Sequence, residues 1–138
     1  MSTTIDAWTH IFPAAYFARL QTLASATGPL KRWMSLASLY DLDVRFRHMD
    51  QFEGYAQLLT PSMPPVEDLG EAEVAHALAQ LMNDGLAALV AKYPAHFPAW
   101  VGCLSMLDVA RAIAEVERAS TNGASGFQIP THIRGQSL

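Results

Sequence analysis

The chain has 138 residues, 51% of them hydrophobic and only 16% charged, which is enough apolar material for the core of one ordinary domain. Nine Lys and Arg against thirteen Asp and Glu give a net charge of −4 with no dense basic run, which argues against a surface that tracks nucleic-acid phosphates. The single cysteine, Cys103, excludes an internal disulfide framework and suits a reducing, cytoplasmic setting, while no window approaches about 18 uninterrupted apolar residues, so no membrane partner is expected.

In chain order, Thr3 to Ala7 favours a strand that ends in Trp8-Thr9-His10. The preceding MSTTID has neither the basic nor the apolar segment of a secretory leader. Pro13 opens an Ala- and Leu-rich helical segment that runs to about Ala24 and is broken by Gly28-Pro29. A less regular stretch from Leu30 leads to a short helix over residues 44–52, with Met49 and Phe52 on one side and Gly54 as its stop. Residues 55–60 read as a second strand, closed by the proline-rich turn from Pro61 to Pro65.

From Glu71 to Tyr93, apolar residues at 74, 78, 81, 82, 86, 89, 90 and 93 follow helical spacing. Pro94 and Pro98 bracket a turn, and residues 99–106 form a nearly continuous apolar strand of the kind buried on both faces. Cys103 lies inside it and reads as a small buried hydrophobe. Asp108 predicts an N-cap for a helix through Ala119 with Val109, Ile113 and Val116 as its inner face, stopped by Asn122-Gly123. Residues 125–130 read as a fourth strand, followed by a loop over residues 131–135. Strands alternating with helices at this spacing predict right-handed βαβ units and a parallel sheet, in a single domain over residues 1–138.

The first strand ends Ile5-Asp6-Ala7-Trp8-Thr9-His10-Ile11-Phe12-Pro13, which resembles a D-x-H-x-H-x-x-P signature with Trp8 in place of its first histidine. Further agreement comes from Arg45-x-x-x-Met49-Asp50, from Met82-Asn83-Asp84 with Tyr93-Pro94-x-x-Phe97, and from Gly126-Phe127-Gln128-Ile129 through Gly135 to Leu138. Together they span nearly the whole chain, which is similar to the amidohydrolase superfamily, in particular its aminocarboxymuconate-semialdehyde decarboxylase-like members. The resemblance implies an α/β fold, the N-terminal half of a TIM-type (β/α)8 barrel with about four parallel strands. A full barrel typically takes about 250 residues.

It also implies a divalent metal, commonly zinc, held by the paired histidines, a later histidine and an aspartate. Such a metal polarises a substrate oxygen or activates water during decarboxylation of an unsaturated or aromatic acid. Of those groups this chain offers His10 alone, because the Trp8 indole has a donor N–H and no accessible lone pair. Asp6 is a candidate for orienting the site from behind, or a simple loop cap. His132 and Arg134, in the loop after the fourth strand, are candidates for contacting a substrate carboxylate. His48, His76 and His96 read as ordinary surface or packed imidazoles, and Trp33, Met34 and Tyr40 as a flap packed over the strand ends. No catalytic residue is assigned.

Three functions stay open on these residues. The chain is part of a decarboxylase completed by a second polypeptide or by further sequence, a hydrolase of a lactone or amide on the same scaffold, or a non-catalytic half-barrel that self-associates. Metal binding by this chain alone is doubtful, and a homo-oligomer or a partner supplying the missing half is expected.

Overall fold

A computed structural model describes residues 3–23 and 28–138, so the predicted helix end near Ala24 and the first two residues lie outside the described range. Strand β1 (Thr4–Ile11) pairs in parallel with β2 (Tyr55–Pro61), as the βαβ reading requires. Between them come α1 (Ala14–Leu23), α2 (Gly28–Ser35), a 3-10 turn (Ala37–Leu39) and α3 (Leu42–Met49). The stretch expected to be irregular after Gly28-Pro29 is thus helical, and the proline falls in the first turn of α2, where its missing N–H costs nothing. α3 starts and stops earlier than the predicted 44–52. Asp41 caps it by accepting from the Asp43 and Val44 amides at 3.0 and 3.1 Å, and Asp50 ends it. Phe52 then lies in the following turn, 64% exposed, and does not share the buried side of Met49.

After β2 come a second 3-10 turn (Val66–Asp68) and α4 (Ala72–Lys92). By length and composition α4 could cross a membrane, yet here its Ala75, Leu78, Ala79, Met82, Asn83 and Leu86 side is buried in the core. A side chain at Gly85 would collide with Pro13, so the glycine lets α4 approach the start of α1 closely. The apolar stretch predicted as one strand over 99–106 forms only β3 (Ala99–Trp100) and β4 (Gly102–Cys103). The two run on through Val101, whose N–H bonds the Leu59 carbonyl of β2, while Gly102 N–H bonds the Gly126 carbonyl beside β5 (Phe127–Gln128). Leu104 and Ser105 are buried but leave the ladder, because the main chain there turns toward Glu67.

α5 (Val109–Thr121) has the expected Asp108 cap, accepting from Arg111 N at 3.1 Å. Its inner face is corrected. Ala112, Glu115 and Ala119 are buried, while Val109 and Ile113 are 62% and 57% exposed. The helix is rotated because Glu115 is held from α4 by Asn83, and the small Ala112 and Ala119 allow the close approach. The fourth predicted strand, 125–130, shortens to the two residues of β5, and the predicted loop over 131–135 is an antiparallel hairpin, β6 (His132–Ile133) with β7 (Gln136–Ser137). Its turn places Arg134 and Gly135 at φ 50° and 80°, the pair of left-handed residues that a two-residue hairpin of this hand needs.

The core lies between the sheet and the helices, with Ile11, Phe12, Tyr16, Leu59, Phe97 and Trp100 among its fully enclosed side chains. Cys103 lies at its edge as a buried free thiol, and burial pushes its pKa up to about 12, reinforced by Glu67 and Glu115. Native protein at pH 8 is therefore expected to leave Cys103 unmodified by a thiol reagent that reacts fully in denaturant. Rapid labelling of the native chain would show that the segment opens.

Candidate functional site

The C-terminal end of β1 carries the candidate site. The β1–β2 register slips between Asp6 and Thr9, so β1 holds one residue more than its partner across Ala7 and Trp8. Such a bulge turns side chains out of strict alternation. Trp8 is 62% exposed, and its ring lies edge-on to His10 at 5.4 Å between centroids. Trp33 of α2, half-buried, also lies edge-on to the imidazole, at 6.0 Å between centroids. The rest of the predicted flap packs as expected of a cover. Tyr40 stacks on Phe17 at 4.6 Å, and Met34 lies against the core.

His10 is half-buried and tightly oriented. Its Nδ1 lies 2.9 Å from the Pro61 carbonyl, which can only accept, so the ring proton resides on Nδ1. Thr60 Oγ1, also 2.9 Å away, donates its own proton to the Thr9 carbonyl and shares the Nδ1 proton as acceptor. Nε2 is left with its lone pair. Burial holds the imidazole below its ordinary pKa, opposed by the Pro61 hydrogen bond and reinforced by the Arg45 charge, which favours this neutral form.

Asp6 is committed elsewhere. Its Oδ1 accepts from the Trp8 amide at 3.2 Å and its Oδ2 from the Tyr55 hydroxyl at 3.0 Å. Tyr55 in turn accepts from Gln57 Nε2, and Gln57 Oε1 accepts from Arg45 Nε at 2.7 Å. Arg45 Nη1 also donates to the carbonyls of His10 and Ser38. A continuous chain of hydrogen bonds therefore runs from α3 through β2 to β1 and braces the strand end. Arg45 stood in a quoted motif, but its role was not legible, and Tyr55, Gln57 and Thr60 gave only the alternation of a strand.

The other candidates are not brought to this place. His132 is exposed in the β6–β7 hairpin, next to Thr131 Oγ1 at 3.0 Å. Arg134 donates to the main-chain carbonyls of Glu67 and Gly70 at 3.0 and 2.9 Å and approaches Glu71, so it fastens the hairpin to the turn before α4. His48 is exposed, His76 half-buried, and His96 contacts Asp50 at 2.8 Å.

The residues present do not fit a divalent ion by themselves. His10 Nε2 is a suitable donor with its other nitrogen fixed by a carbonyl, as metal-bound imidazoles generally are. Trp8 has nothing to give, both Asp6 oxygens are engaged, and among the described residues no three His, Cys, Asp or Glu side chains converge. Purified chain dialysed against a mild chelator is expected to retain far less than one equivalent of zinc or manganese, as read by elemental analysis. Stoichiometric retention would mean that other groups gather on His10.

No family model matches the chain. A curated relative, the gamma-resorcylate decarboxylase of Polaromonas sp. strain JS666, is 36% identical over 107 residues, covering 75% of this chain and 32% of the relative. A solved dihydroxybenzoic acid decarboxylase from Polaromonas sp. JS666, with bound manganese and the inhibitor 2-nitroresorcinol, is 29% identical with a TM-score of 0.70. It covers 92% of this chain and 38% of that one. A solved amidohydrolase II structure superposes with a TM-score of 0.80 over 99% of this chain and 43% of its own, at 23% identity, a likeness of fold. The chain spans about a third of the curated relative's length and about two fifths of the solved structures'. In sequence and fold the chain is thus similar, over the part it spans, to amidohydrolase-type aromatic-acid decarboxylases.

Proposed function

We propose that residues 1–138 are the first part of a TIM-type barrel whose complete form decarboxylates an aromatic carboxylic acid at a divalent metal. One observation carries this reading: the braced, neutral His10 presents a free Nε2 at the C-terminal end of the first strand, where barrel active sites form. The matched relatives, which act on gamma-resorcylate and dihydroxybenzoate by name, support the substrate class. The remaining ligands come from strands outside these residues, on the same polypeptide or a partner, and zinc and manganese are both admissible.

Co-expression with the later strands of such a relative tests the proposal, with resorcinol release from 2,6-dihydroxybenzoate as readout. Turnover by the reconstituted barrel, with none by the chain alone, is the expected result. A folded, metal-loaded assembly without turnover would overturn it.

Trp8 favours a second reading, a non-catalytic half-barrel that self-associates. β1 has no partner on its other edge among the described residues, and Ile5, Trp8 and Ile129 are exposed. Turnover only after Trp8→His would support this reading, as would an oligomer in light scattering. A monodisperse 15.1 kDa species would oppose it.

A further inference from the structure

Helix α2 differs from the other helices in how little of it is enclosed. α1, α3, α4 and α5 each bury two or more side chains, whereas none of the described side chains of α2, Leu30 to Ser35, is buried. Leu30, Trp33 and Met34, at i, i+3 and i+4, give it one half-buried face against the core, and Lys31, Arg32 and Ser35 are exposed. A helix of eight residues is too short to hold itself together in water, so its place depends on that one face.

The turn that follows α2 is firmly held. Leu39 is 8% exposed and its carbonyl accepts from Phe12 N–H at 2.6 Å, while the Ser38 carbonyl accepts from Arg45 Nη1 at 3.1 Å. Leu36, between helix and turn, has extended backbone at φ −84° and ψ 100° and is 43% exposed. A weakly packed helix joined through one extended, exposed residue to a fixed turn has the form of a hinged element. Trp33, on the half-buried face of that element, is also its contact with the His10 ring.

We propose that α2 is a lid over His10, hinged at Leu36 and latched by Trp33. Closed, as in this structure, it screens the imidazole from water; open, it gives an aromatic acid a way to Nε2. Opening exposes only the half-buried face of Leu30, Trp33 and Met34, while β1, the 3-10 turn and α3 stay in place. Use of the lid for substrate entry rests on the function proposed above, whereas its motion does not.

Two measurements on the purified chain test this, and neither needs turnover, so a reconstituted barrel that fails to decarboxylate would count against the function and leave the lid standing. Hydrogen exchange read by mass spectrometry should show the amides of α2 exchanging at least about tenfold faster than those of α1 and α3. Carbethoxylation by diethyl pyrocarbonate, read peptide by peptide, should be about threefold faster at His10 in Trp33→Ala than in the unaltered chain, with the exposed His48 and His132 unchanged as internal references. Leu30→Ala, which loosens the same face one turn from Trp33, should raise the His10 rate too, as a fixed screen of Trp33 alone would not. Cys103 closed to a thiol reagent in both variants excludes general unfolding, and the exchange measurement on the unaltered chain decides by itself should a variant not fold. α2 amides as slow as those of α3, or a His10 rate that neither substitution raises, would overturn the proposal.

Discussion

Replacing Asn83 with leucine is expected to destabilise the chain by about 3–5 kcal/mol. Asn83 is 1% exposed, and its amide serves three buried groups at once. Nδ2 donates to the Cys103 carbonyl at 2.9 Å and to Glu115 Oε1 at 2.7 Å, and Oδ1 accepts the Cys103 amide at 2.6 Å. Leucine fills similar volume but takes the partner from the Cys103 amide and carbonyl, while Glu115 Oε1 keeps only Arg118 Nη2 at 2.8 Å. Each buried vacancy costs about 1–3 kcal/mol. Urea unfolding with an unchanged slope would read the loss, and a difference under about 1 kcal/mol would mean that water enters and replaces the amide.

The same network sets an acid limit. Burial alone would raise the Glu115 carboxyl, but hydrogen bonds from Arg118 and Asn83, with the Arg118 charge, outweigh it and hold the pKa below its usual 4.5. Folded Glu115 thus loses its proton more readily than unfolded Glu115. Its stabilisation is complete above about pH 4.5 and is lost as pH falls from there through the lower folded value. Glu115→Gln should flatten this part of the stability profile.

Arg45→Met is expected to cost about 2–4 kcal/mol and to loosen the His10 end of β1. The guanidinium is 6% exposed and serves Gln57 Oε1 and the carbonyls of His10 and Ser38, all of which methionine leaves unpaired. Burial lowers its pKa to about 10, so relief of that desolvation offsets part of the loss and keeps it below the Asn83 effect. Lysine should not rescue it, because an ammonium cannot reach three divergent acceptors as a planar fork does. Proton-exchange protection at Thr9 to Ile11 should fall more than elsewhere. Uniform protection with unchanged stability would show that β1 holds its end without Arg45.

Sequence alone determined the alternation of strands and helices, the position of α4, the Asp108 cap and the lone imidazole at His10, because each is a local property of spacing or residue type. Helical periodicity put Leu78, Met82 and Leu86 inward, and they are buried. The family signature was also local, since it lies in short runs whose order the chain preserves. Tertiary structure decided the rest. The inner face of α5 went to Ala112, Glu115 and Ala119, because a long-range polar contact with Asn83 outweighed the apolar stripe of Val109 and Ile113. Apolar continuity over 99–106 promised one strand, but the ladder depends on what neighbouring strands present, and only four residues of that stretch are strand. The hydrogen-bond chain from Arg45 to Asp6 joins residues as far as 49 positions apart, from Tyr55 to Asp6. No spacing rule reaches that far, because such contacts exist only once the sheet and helices have packed.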